Sequence, residues 1–178
     1  GIANPEHPPL GKWLIGIGMA MAGDEPLGWR VMSALFGSAL VLSGVMAARW
    51  LLGTRAAAVM TGTLLLLSPM LFIQARIAML DIFMASFLML AFWMMAAGAR
   101  AGFRDRSTLV LAGLFLGCAT ASKWTAVPLV AMALVFYVFI RWQGRKEVAQ
   151  VSWLKGLMWL GPFAVLVYLT SYLPFLFL

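Results

Sequence analysis

The sequence predicts an all-α, polytopic membrane protein of about six transmembrane helices led by a short interfacial helix. Three observations carry the prediction. Of its 178 residues, 63% are hydrophobic and 11% charged, and the mean hydropathy is +0.96, well beyond the roughly 45–50% apolar content of a soluble domain. Charge-free stretches cover residues 31–48, 56–73, 82–99, 107–122, 124–140 and 156–178, each about long enough to cross a hydrocarbon core of about 30 Å as a helix. Finally, the charged residues between those stretches alternate in kind from one connection to the next.

Taken in order, residues 1–12 are polar and turn-prone, with Glu6, His7 and Lys12 gathered around Pro8-Pro9, a pair that restricts the backbone. Residues 13–22 are apolar but too short to cross, so they predict a helix lying at the interface. Residues 1–30 thus form an extracytoplasmic loop with an interfacial helix, and 31–178 the transmembrane bundle. Between these parts, Gly23-Asp24-Glu25-Pro26-Leu27-Gly28-Trp29-Arg30 reads as a turn-rich link. Its adjacent acids could be a catalytic pair, but in a Gly/Pro link they read more simply as solvated side chains. The chain opens at Gly1 without an initiator methionine and closes in an apolar run at Leu178, which predicts a segment of a longer protein.

Basic residues give the orientation. Arg49 and Arg55, then Arg100, Arg104 and Arg106, then Arg141, Arg145, Lys146 and Lys155 occupy alternate connections, which the positive-inside rule places in the cytoplasm. Lys12, Arg30, Arg76 and Lys123 remain on the other side, with Glu6, Asp24, Glu25 and Asp81; only Asp105 and Glu147 fall inside. A net charge of +7 distributed in this way argues against nucleic-acid binding. A cation at or within the outer boundary opposes the orienting bias. It is either an ion pair or snorkelling side chain, or part of an outward site suited to a phosphate-bearing lipid.

Two outward connections hold the informative spacings. Ser68-Pro69 weakens the second span, and "IQARIAMLDIF" follows with Gln74, Arg76 and Asp81. Five residues turn a helix by about 140°, so Arg76 and Asp81 do not pair on one continuous helix: either Arg76 lies in a turn ahead of it, or each has a partner elsewhere. In "CATASKWTAVP", Lys123 and Trp124 form the tip, as an interfacial anchor or as part of the site. Gly113 and Gly117 make a GxxxG that permits close helix packing. Tyr168, Thr170, Ser171 and Tyr172 fit an aromatic belt, and Pro174 can bend the last span. A single cysteine, Cys118, and a single histidine, His7, exclude a disulfide framework and any recognised zinc-ligand spacing.

In order and spacing, "HPPLGKWLI", "GDEPLGWRVMSALFG", "IQARIAMLDIFMASF", "ATASKWTAV" and "VYLTSYLPF" together resemble the N-terminal half of the protein O-mannosyltransferase family. Its members are glycosyltransferases of the GT-C class that use a lipid-phosphate sugar. The resemblance covers essentially the whole chain and implies a partial GT-C bundle in an integral membrane protein, of the cell membrane in a prokaryote, with its active site on the extracytoplasmic face. It implies transfer of a sugar such as mannose, with inversion, from a polyprenyl- or dolichyl-phosphate carrier to a Ser or Thr hydroxyl of an acceptor protein. No cofactor is implied beyond that donor; the partners are the donor, the acceptor protein and the bilayer, with a dimer allowed.

The same resemblance implies roles for individual residues. Glu6, His7 and Asp81 become candidate catalytic residues; Lys12, Arg30, Gln74, Arg76, Lys123 and Trp124 become candidate ligands of the substrate and its lipid phosphate. The family's Asp-Glu pair is expected upstream of this chain, which makes Asp24-Glu25 a decoy and predicts no transfer by these 178 residues alone. Eukaryotic relatives carry an acid two positions before the histidine; here Pro5 stands there and Glu6 is adjacent. Three rival readings are a same-class transferase acting on a lipid or glycan, a transporter or channel module, and a purely structural subunit. Against the transporter, the charges gather on one side and there is no internal repeat.

Overall fold

A computed structural model describes residues 6–143 and 151–176, and those residues form nine α-helices and two short 3-10 turns. The expectations for Pro5 and for Arg145, Lys146 and Glu147 fall outside the described residues. The helices are α1 (Leu10–Ala22), α2 (Pro26–Leu52), α3 (Arg55–Leu66), α4 (Pro69–Gln74), α5 (Leu80–Arg100), α6 (Ser107–Ser122), α7 (Val127–Gln143), α8 (Trp153–Leu160) and α9 (Pro162–Thr170). Four segments are long and apolar enough to cross a membrane: Pro26–Leu52, Leu80–Arg100, Trp124–Gln143 and Trp153–Thr170.

The other two predicted spans are realised differently. Residues 56–73 do not make one helix, because Pro69 has no N–H to give to the ladder and the Ser68 side chain accepts from Leu71 N–H, which starts a new helix. The product is a 12-residue α3 and a 6-residue α4. The 16 residues of α6 reach only about 24 Å at 1.5 Å per residue. The last span begins at Trp153, breaks at Gly161–Pro162 and ends at Thr170, so its break lies at Pro162, and Pro174 follows the span in a separate 3-10 turn.

Helix ends follow local chemistry. Gly53 closes α2 at a φ of +73°, conformational space that favours glycine, and Thr54 caps α3 by accepting from Ala57 N–H. After α5, Phe103 N–H reaches Gly98 O and Gly102 N–H reaches Ala99 O, with Gly102 at φ +66°, the bond pair of a Schellman motif. The motif drives Phe103 into the core, edge-on to Tyr137 of α7. It joins the α5–α6 connection to the far end of α7.

The core lies on α2, α5 and α6, with α5 between the other two. Ser86 Oγ donates to Phe36 O across the α2–α5 contact, and Phe36 meets Phe83 and Phe87 edge-on. The GxxxG on α6 is a packing device: Gly113 lies against the Trp159 carbonyl and Gly117 against Ala164 O and Val167. Interfaces of small residues permit this backbone approach in membranes. Replacing Gly113 with alanine is therefore expected to destabilise the protein by about 1–3 kcal/mol through overpacking. Gly16→Ala, where nothing lies within 4 Å, should be neutral or stabilising by up to about 1 kcal/mol. Thermal unfolding in detergent reads both, and equal shifts would refute the packing role.

The two ends of the bundle differ in charge. At one end Arg49 donates to Gly53 O, Arg100 lies beside Gly53, and Arg141 donates to Val151 O while stacking on Trp153. The opposite end carries Lys12, Arg30, Arg76, Asp81 and Lys123, as the alternation of charges predicts.

Candidate functional site

At that second end, α1 packs along α2, and its first turn fits into the corner where α5 starts and α6 stops. Gly11 makes the fit possible: a Cβ there would lie 2.7 Å from Leu80 Cδ2, 3.6 Å from Phe83 and 3.7 Å from Ser122. Pro8 and Pro9 are buried just ahead of it, and Lys12 Nζ donates to the His7 carbonyl at 2.9 Å. Lys12, next to Gly11, is thereby held at the end of the bundle that carries Asp81 and Lys123.

Those two form an ion pair. Lys123 Nζ donates to both Asp81 oxygens, at 2.7 and 2.9 Å, with the side chains 21% and 28% exposed respectively. The pairing follows from the helices. Asp81 is in the first turn of α5 and Lys123 directly follows the last residue of α6, so each charge complements the dipole end nearest it while α5 and α6 run antiparallel. Sequence spacing could not predict this contact, because 42 residues separate the partners.

Arg76 is elsewhere. It sits in the turn between α4 and α5, as one of the two sequence alternatives held, with its guanidinium 4.8 Å from the centre of the Phe72 ring. It is exposed and caps an apolar groove of about 560 Å³ formed by α2, α3 and α4, with Gly37, Val41, Leu65 and Leu71 among its walls. The nearby Gln74 Oε1 is buried and accepts no hydrogen bond from the described residues. Arg30 is exposed on the first turn of α2.

Trp124 has its own partner: the indole donates to the Tyr168 hydroxyl, which donates to Tyr172. Burial, then the Tyr168 hydroxyl, pushes the Tyr172 phenol up to about 12, so it is protonated at neutral pH. Asp24 and Glu25 are exposed, and Asp24 accepts from the Trp29 indole in its own link, an arrangement that suits a link-stabilising role. Among the described residues, no three His, Cys, Asp or Glu side chains converge as a metal site.

The family model for dolichyl-phosphate-mannose-protein mannosyltransferase matches residues 6–171. The chain belongs to that family. Relatives named polyprenol-phosphate-mannose–protein mannosyltransferase include one from Mycobacterium tuberculosis, 34% identical over 94% of this chain and 38% of its own length. One from Corynebacterium glutamicum is 31% identical over 84% of this chain and 33% of its own, and one from Mycolicibacterium smegmatis is 30% identical over 94% and 38%. The chain thus spans little more than a third of these curated relatives. No solved structure matches it.

Within this mannosyltransferase-family chain, sequence reasoning missed three features of the site. Phe72, which holds Arg76, looked like one more apolar residue of a span. Tyr168, assigned to an aromatic belt, is the acceptor for Trp124; its four-residue spacing from Tyr172 was the available signal. Ser33 is fully buried on α2 one turn beyond Arg30, with its Oγ accepting nothing and donating to nothing among the described residues. A lone serine on a helix face carries no signal of that kind.

Proposed function

We propose that the full-length protein transfers mannose from a polyprenyl-phosphate carrier to a Ser or Thr hydroxyl of a protein, with inversion, on the non-cytoplasmic side. The observation that carries this reading is the apolar groove ending at Arg76, an arrangement that suits a single prenyl chain with its phosphate at the guanidinium. The family match and the relatives' names support the donor and acceptor. The surplus of basic residues at the other end supports the orientation.

In this mechanism the acceptor oxygen attacks the anomeric carbon from the face opposite the phosphate, and its proton passes to a carboxylate base. The C–O bond to the lipid phosphate breaks, and the phosphate leaves with the electron pair, its charge balanced by Arg76 and Lys123. Asp81 holds Lys123 in place. Lys12, Arg30, Gln74 and Trp124 complete the pocket for the phosphate and sugar, with Glu6 and His7 forming the acceptor-side wall. No cofactor enters.

Reconstituted full-length protein should move label from polyprenyl-phosphate mannose to a Ser/Thr peptide and give the inverted anomer by NMR, while these 178 residues alone should not. Label reaching only lipid or glycan acceptors would favour the same-class alternative. Solute flux without transfer would favour a transporter.

A further inference from the structure

The basic end of the bundle carries a second cleft that the transfer reaction does not use. It lies between the α5–α6 connection and the α8–α9 pair, with a volume of about 770 Å³. Arg104, Arg106 and Lys155, all exposed, line it on the side of the connection, and Met158, Pro162, Phe163 and Leu166 give it an apolar wall along α8 and α9. From the shared corner of Asp105, Arg106 and Trp159 a second groove of about 560 Å³ diverges along Val110 and Leu111 of α6. This corner and Lys123 are at opposite ends of α6, about 24 Å apart along its axis.

We infer that this corner binds a two-chain anionic phospholipid, with its phosphate at Arg104, Arg106 and Lys155 and one acyl chain in each groove. Charge supports the headgroup. Among the described residues that line the cleft, three cations face one acid, and the exposed Asp105 carboxylate already accepts from the backbone N–H and hydroxyl of Ser107. Arginine forks suit phosphate oxygens, and basic pockets between membrane helices take anionic headgroups. Shape supports the two chains. A polyprenyl phosphate has one hydrocarbon tail and would leave one groove empty, whereas a glycerophospholipid branches at its headgroup as these grooves do at Arg106 and Trp159. The apolar walls on α6, α8 and α9 run into the membrane-spanning part of the bundle, so a free anion would use only the cationic side.

Native mass spectrometry of the purified full-length protein titrated with phosphatidylglycerol tests this. One lipid should be retained in preference to phosphatidylcholine, and Arg104→Gln/Arg106→Gln/Lys155→Gln should weaken retention by about fivefold per cation removed. Leu166→Trp, which fills one groove with every charge intact, should also lose the lipid. Equal retention of phosphatidylcholine would overturn the proposal. So would an equal loss in Arg55→Gln, which would reduce the effect to general surface charge. Displacement by millimolar inorganic phosphate would identify a free-anion site, and equal binding of a single-chain polyprenyl phosphate would identify a carrier site; either result overturns the two-chain assignment.

Discussion

Replacing Lys123 with methionine is expected to abolish most mannosyl transfer in the full-length protein and to destabilise it as well. The substitution keeps the volume but leaves the Asp81 carboxylate, 28% exposed, without the ammonium that satisfies both its oxygens. Exposed pairs contribute about 0–1 kcal/mol and breaking fully buried ones costs about 3–5. A pair this far from water falls between, at about 1–3 kcal/mol. On the proposed role, loss of one preorganised positive partner to the leaving phosphate should lower turnover by about 10²–10³-fold. The exchange Asp81→Lys with Lys123→Asp separates the two effects. It should recover most of the stability, because the pair is reformed, and little of the transfer, because the cation has moved. Full recovery of transfer would make the pair purely structural.

Arg76 gives the complementary result. Arg76→Gln should reduce transfer by about 10²-fold while changing unfolding stability by no more than about 1 kcal/mol, the value of its exposed contact with Phe72. Arg76→Lys should restore part of the rate, since an ammonium keeps the charge and loses the bidentate fork. Titrating the donor should show a raised KM along with the lowered kcat, because the proposed phosphate contact acts both before and during transfer. An unfolding shift as large as that of Lys123→Met would instead mark Arg76 as a packing residue.

The contrast between the two cations explains what could be read in advance. Both were placed at the outward end by the alternation of basic connections, which needs only residue order. Their partners were not. Asp81 and Lys123 meet because α5 and α6 pack antiparallel, and Arg76 finds Phe72 because Pro69 restarts the chain as a short helix whose last turn points back at it. The broken second span has the same origin. Hydropathy treats residues 56–73 as continuous, while a single missing N–H at Pro69, rescued by the Ser68 cap, divides them.

Charge order, hydropathy and short spacings were enough for the all-helical membrane character, the two-sided charge division and the close packing at Gly113 and Gly117, while the resemblance to mannosyltransferases rested on five motifs in order along the chain. All of these are read from residue order alone. Which groups touch was decided only in the folded chain: Lys123 on Asp81, Trp124 on Tyr168, α1 in its corner at Gly11, and the branched basic cleft at Arg106. The reason is physical. Burial and insertion follow additive, local free energies that a sequence displays residue by residue, whereas a contact across 42 positions depends on how several helices settle against one another.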